Sequence, residues 1–110
     1  IIVGDFFHSH LNNEALLFEK WRRDINQLPI HLVTGNHDIL PENWYTRNDI
    51  TRHEDVYIQK QFCFVHQYEQ EKHTDENLFY VSGHIHPGVH IDGAARQSLR
   101  FPCFYFTQNH

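Results

Sequence analysis

The stretch "IHLVTGNHD", residues 30–38, decides the reading of the fold. A short β-rich run passes directly into Gly-Asn-His-Asp, the pattern of a buried strand that ends on polar, chemistry-bearing groups. Upstream, "IIV" (residues 1–3) reads as another buried strand, ending in Gly4 and Asp5. Between the two lies "NNEALLFEKWRRDINQL" (12–28), which reads as a helix. Asn12 or Asn13 can cap it, and Phe18, Trp21, Ile25 and Leu28 fall on one face. Strand, helix, strand is the unit of a parallel sheet covered by helices.

After the loop "GNHDILPENW" (35–44) the character changes. "VYIQ" (56–59), "QFCFVH" (61–66), "LFYVSG" (78–83), "HPGVHI" (86–91) and "SLRFPCFYF" (98–106) are short strand candidates between polar or Gly/Pro turns, and no helix is expected among them. "HQYEQEKHTDEN" (66–77) reads as a polar surface loop. An α/β half is followed by a β-rich half.

With 40% hydrophobic and 15% aromatic residues, the 110-residue chain suits a single domain, 1–110. No apolar run approaches the roughly 18 residues of a membrane span, and there is no signal peptide, so a cytoplasmic protein without a membrane partner is expected. Cys63 and Cys103 are flanked by aromatics, which suits buried reduced thiols. The net charge of −5 argues against a broad basic face for duplex nucleic acid and fits carboxylates and imidazoles awaiting divalent cations. The opening "IIVGD", without Met and already inside an apolar run, points to a fragment that lacks an earlier strand and helix.

The chemistry gathers at strand ends. Asp5 follows the first run, Asn36, His37 and Asp38 the second, His66 closes "FCFVH", and His84 follows "FYVSG" with His86 two residues on. In an extended segment His84 and His86 would share a face. One H-x-H among eleven histidines is expected by chance, but four apolar runs ending in a ligand type are not. In open α/β sheets the crevice beyond the carboxyl ends of strands is where ligands bind. Carboxylate, amide and imidazole donors suit Mn, Fe or Zn, and two such ions about 3.5–4 Å apart can hold a phosphate ester and activate water for in-line attack. Taken singly, Asp5 and Asn36 also suit turns, and Asp38 a helix N-cap.

"GDFFH", "GNHD", the isolated His66 and "GHIH", in this order, resemble the calcineurin-like metallophosphoesterases, a superfamily of two-metal phosphatases, phosphodiesterases and nucleases. More narrowly, "GDFFHS", "FEKWRRDI", "GNHDIL", "GHIHPG" and "RQSLRFPCF" are similar to the DNA-ligase-associated metallophosphoesterases of bacterial DNA-damage operons. The resemblance implies two β-sheets flanked by helices in a four-layer α/β/β/α sandwich, here without its first strand and helix. It implies two divalent ions, Mn foremost with Fe or Zn as alternatives. Asp5 would bridge them, Asn36, His66 and His84 would complete one site, and His86 would serve the other. His37 would stabilise charge or protonate the leaving oxygen, with Asp38 orienting it. The family's opening Asp-x-His motif is absent, so residues 1–110 hold a full set for one ion only and are expected to be nearly inactive by themselves.

His8 is a candidate for metal or substrate contact, and Arg96 and Arg100 for gripping a substrate phosphate. His10, His31, His53, His73, His90 and His110 read as surface or strand residues. The leading function is hydrolysis of phosphodiesters by two-metal activation of water, as a DNA-repair phosphodiesterase or endonuclease acting on single-stranded DNA or RNA, with a repair ligase or helicase as partner. The alternatives are a small-molecule phosphatase or cyclic-nucleotide phosphodiesterase on the same site, and a binding module on a degenerate fold.

Overall fold

A computed structural model describes residues 1–7 and 12–108. The elements run β1 (Ile2–Val3), α1 (Asn13–Asp24), β2 (Ile30–Val33), α2 (Glu42–Arg47), β3 (Ile50–His53), β4 (Val56–Gln59), β5 (Phe62–Val65), β6 (Phe79–Ser82), β7 (Gly88–Asp92), a 3-10 turn (Ala94–Arg96) and β8 (Ser98–Pro102). Strands β1, β2 and β3 form a parallel sheet in that order. Strands β4, β5 and β6 form a mixed sheet, β4 antiparallel and β6 parallel to the central β5. Strands β7 and β8 make a separate antiparallel hairpin.

Helix α1 begins where Asn12 accepts the amides of Glu14 and Ala15 on its side-chain oxygen, satisfying two donors that a helix start leaves open. It ends at Asp24, four residues short of Leu28. The face that turns inward also differs from the expected one. Ala15 and Arg22 are buried and Phe18 packs against the core, whereas Trp21 and Leu28 are about half exposed. Burying a guanidinium requires partners for its donors. Arg22 donates to the backbone carbonyls of Asn48 (2.8 Å), Ile25 (2.7 Å) and Asp49 (3.3 Å), which ties α1 to the end of α2 and the entry to β3. Trp44 adds a second tie, its indole N–H donating to Glu19 at 2.6 Å.

Helix α2 begins inside the expected loop 35–44, and strand β3 lies in a stretch the sequence left unassigned. Pro41 opens α2, and Trp44 and Tyr45, both fully buried, anchor it. Together α1 and α2 cover one face of the first sheet, where Phe7, Ala15, Ile30, Leu32, Leu40, Trp44, Tyr45 and Ile50 form the core. Its other face meets the second sheet at one corner, where the Tyr57 ring stacks on His31 and His53 at 4.6 and 4.1 Å between centroids. The two histidines, strand residues of β2 and β3, are themselves paired, His31 Nδ1 to His53 Nε2 at 2.9 Å, and with Tyr57 they form an inter-sheet contact.

The layers are therefore helices, sheet and sheet. Among the described residues no helix covers the outer face of the second sheet, where Tyr80 lies against Tyr68 and His73 of the 66–77 loop. Cys63 is buried, and burial raises its thiol pKa, which keeps it protonated and inert. Cys103 is exposed, contrary to the aromatic flanks that suggested burial, because strand β8 lies outside the core. No helix among the described residues is long and apolar enough to cross a membrane.

Candidate metal centre

Three strand ends build the centre. Asp5 follows β1 of the first sheet, while His66 and His84 follow β5 and β6 of the second. Because β5 and β6 are parallel neighbours, their carboxyl ends lie side by side, and Gly83 N–H donates to the His66 carbonyl at 3.1 Å. His66 Nε2 is 3.1 Å from His84 Nδ1 and 3.6 Å from an Asp5 carboxylate oxygen. One donor atom from each of the three residues lies within 4.8 Å of the others.

Close approach depends on missing side chains. Gly4 has φ +76°, and a Cβ there would collide with the buried His66 ring. A Cβ on Gly35 would stand 2.6 Å from both the backbone nitrogen and a carboxylate oxygen of Asp5. These two glycines let the loops after β1 and β2 close around Asp5 and His66.

The loop after β2 is tied down by Asp38. Its carboxylate accepts the Phe6 amide at 2.8 Å and the Gly35 amide at 2.5 Å, joining the two strand-end loops. The His37 amide in turn donates to Asp5 at 3.2 Å. Asp38 thus accepts backbone amides, as the N-cap reading expects of its side chain, but it holds two strand-end loops together instead of starting a helix. Burial, reinforced by the nearby Asp38 charge, raises the pKa of the Tyr45 phenol behind this loop.

His84 and His86 are not in an extended segment. Strand β6 stops at Ser82, and both residues adopt left-handed backbone, φ +66° and +48°. Asp5 does the same at φ +48°. Non-glycine residues in that region cost roughly 1–3 kcal/mol each and persist where surrounding structure enforces them, often at functional sites. Asp5, His84 and His86 place such strain just past strand ends, and Arg96, the fourth candidate with left-handed backbone (φ +60°), places it in the 3-10 turn.

Of the other candidates, Asn36 and His37 sit exposed in the loop after β2. His86 stands outside the Asp5–His66–His84 group and lines an open cleft of about 720 Å³ with Pro87–His90 and Arg100–Cys103. Arg100 therefore lines that cleft, while Arg96 is exposed in the 3-10 turn at the hairpin tip. His8 lies outside the described residues. His90, read from sequence as an ordinary strand residue, also lines the cleft; its spacing of four from His86 across a Pro-Gly turn was the available signal.

The trio suits a divalent cation. Ligand atoms about 2.0–2.2 Å from one ion lie roughly 3–3.4 Å apart, close to the 3.1 and 3.6 Å that separate His66 from His84 and Asp5. His84 Nδ1 and His66 Nε2, 3.1 Å apart, hydrogen-bond to each other when one of the two nitrogens carries the proton, and a bound cation would take that proton's place. His66 Nδ1 is buried without a hydrogen-bond partner among the described residues, and Nε2 is the nitrogen that faces His84 and Asp5.

The protein has a mixed α/β fold with several small sheets and a candidate metal centre at its strand ends, consistent with an α/β phosphoesterase fold. A solved structure supports that class. The chain is similar to the Pseudomonas putida nuclease MPE, with 28% sequence identity and a TM-score of 0.69 over 94% of this chain and 49% of that one. This chain thus spans about half the length of the nuclease. No protein-family model matches the sequence, and no curated protein matches it.

Proposed function

We propose that the protein is a metal-dependent phosphodiesterase, a nuclease of DNA repair in the cytoplasm, that uses two divalent ions, Mn foremost. The observation that carries this reading is the convergence of Asp5, His66 and His84 from both sheets onto one point. When bound, such ions neutralise phosphate charge and activate water for in-line attack. Asp5 would bridge them, Asn36, His66 and His84 would complete one site, and His86 would serve the other. Asp38, through the Phe6 and Gly35 amides, fixes the loop that carries His37. His37, whose amide donates to Asp5, would stabilise charge or give a proton to the leaving oxygen.

Calorimetric titration with manganese, beside hydrolysis of an aryl phosphodiester, an aryl phosphomonoester and single-stranded DNA, tests the reading. Diester and DNA cleavage lost together with metal binding in Asp5→Ala and His66→Ala supports it. Preference for the monoester makes the protein a phosphatase, and tight metal binding without turnover makes it a binding module. His37→Ala should lower turnover by about 10²–10⁴-fold at unchanged metal content, least on substrates with good leaving groups. Unchanged turnover would remove His37 from the mechanism.

A further inference from the structure

The two sheets meet at the metal centre and again at a corner built from titratable rings. Register places His31, Val33, Thr51 and His53 on one face of the first sheet, opposite the face on which Ile30, Leu32 and Ile50 join the helix-covered core. Tyr57 of β4 lays its ring across both imidazoles, with planes 8° from His31 and 25° from His53. Among the described residues these are the ring contacts that pass from one sheet to the other.

His31 Nδ1 and His53 Nε2 are 2.9 Å apart, so one proton lies between them. No third histidine, cysteine or carboxylate joins the pair among the described residues, and a proton rather than a cation is what this geometry holds. A first added proton can enter at an outward nitrogen and leave the N–H···N bond intact. A second sets two N–H groups and two positive rings against each other, which breaks the bond. Few other charges bear on the pair. Glu54 and Asp55 sit in an exposed turn where solvent and salt screen them. Arg52 turns to the opposite face, 4.8 Å from the centroid of the Tyr45 ring. Tyr57 is the titratable group that β4 sets against the pair, and β1 (Ile2–Val3) carries none.

We propose that the His31–His53 pair is a pH-sensitive clamp between the sheets, which holds the metal centre together while it shares a proton and loosens it when both rings are charged. The link is mechanical. Tyr57 moves with β4, β4 is paired to β5, and β5 ends at His66, whereas His31 and His53 belong to the sheet that carries Asp5. When the imidazoles part, Tyr57 cannot stay stacked on both, and His66 and His84 are freed to shift together against Asp5, whose carboxylate is 3.6 Å from His66 Nε2. Burial, and then His31, holds His53 below the ordinary histidine value, which sets the release on the acid side of about pH 6.5.

Two readouts test the clamp, one of them free of metal. In EDTA, the nuclear Overhauser contact between the Tyr57 and His31 rings should be present at pH 7.5 and lost at pH 5.0 in the parent. It should persist at both in His53→Gln, whose amide can keep the hydrogen bond at the Nε2 position without taking a proton. His31→Asn, whose amide stands where Nδ1 does, offers the same test on the other ring, with Tyr57 to His53 as the contact read. By calorimetry, manganese affinity should fall on acidification in every protein, because imidazole ligands must shed protons to bind metal. The fall should be about three- to tenfold larger in the parent than in either variant. A ring contact retained at pH 5.0 in the parent, or a parallel loss of manganese affinity in parent and variants, overturns the clamp. It rests on the metal reading for the calorimetry alone. If the parent fails to bind manganese at pH 7.5 while its ring contact responds to pH as described, the clamp between the sheets stands and the metal reading falls.

Discussion

The helix-covered sheet and the β7–β8 hairpin are both rich in apolar side chains, yet they treat them in opposite ways. In the first, Ala15, Leu32, Trp44 and Tyr45 are at most 1% exposed. In the second, Val89, Ile91, Leu99 and Phe101 are all between 42% and 61% exposed. The radius of gyration is 16.9 Å, against about 13 Å for a compact chain of this size, and the hairpin packs mainly on itself. Alternation alone does not bury a strand; a layer has to lie across it, and a two-stranded ribbon supplies none. The candidate metal centre falls between these regimes, its aspartate anchored to the packed sheet and its histidines to the strands that lead into the hairpin.

The sharpest way to break this comparison is to open the packed side. Trp44→Ala removes a fully buried indole and the Glu19 hydrogen bond, and should destabilise by about 3–5 kcal/mol in urea unfolding. A loss below 1 kcal/mol would show that this core contributes little.

Gly4→Ala comes next, because it joins the two sheets at the centre. Left-handed backbone alone should cost about 1–3 kcal/mol, and the new methyl must displace the His66 ring. Manganese affinity should fall along with the melting temperature; retention of both would mean that His66 moves freely.

A smaller, pH-dependent effect belongs to the inter-sheet pair. Burial, with His31 beside it, lowers the pKa of His53 below the ordinary histidine value. The fold therefore favours the neutral ring, and the unfolded chain binds more protons in the interval between the two pKa values. This contribution is fully present above about pH 6.5 and is lost as pH falls through the folded value. Tyr57 from β4 and His31 from β2 are the titratable rings stacked on His53, while Glu54 and Asp55 follow it in an exposed turn. Thermal unfolding in EDTA at pH 7.5 and 5.0 should show a shallower loss in His53→Phe than in the parent. Equal loss in both would place the acid sensitivity elsewhere.

The smallest effect should come from the hairpin's apolar face. Leu99→Ala, at 61% exposure, should change stability by no more than about 0.5 kcal/mol. A larger loss would mean that this face is covered in solution.

Much of the site is local and therefore visible in the chain itself. Apolar runs ending in Gly4-Asp5, Gly35-Asn36-His37-Asp38, His66 and Gly83-His84 announce strands that stop at polar groups, and Asn12 announces a helix start, because capping and strand termination depend on residues only a few positions apart. The inward face of α1 could not be read in that way. Arg22 is buried because carbonyls of Asn48 and Asp49, 26 and 27 residues along the chain, accept its donors, and no periodicity within the helix encodes them. Helix α2 was hidden for a related reason: six residues are too few for a pattern, and the helix is held chiefly by the burial of Trp44 and Tyr45. The left-handed backbone at Asp5, His84 and His86, and the exposure of Cys103, likewise follow from where neighbouring segments lie. The sequence by itself determined which donors the strand ends carry. Tertiary structure decided that Asp5, His66 and His84 meet while His86 turns to a cleft, because only packing of one sheet against another sets distances between segments that share no local interaction.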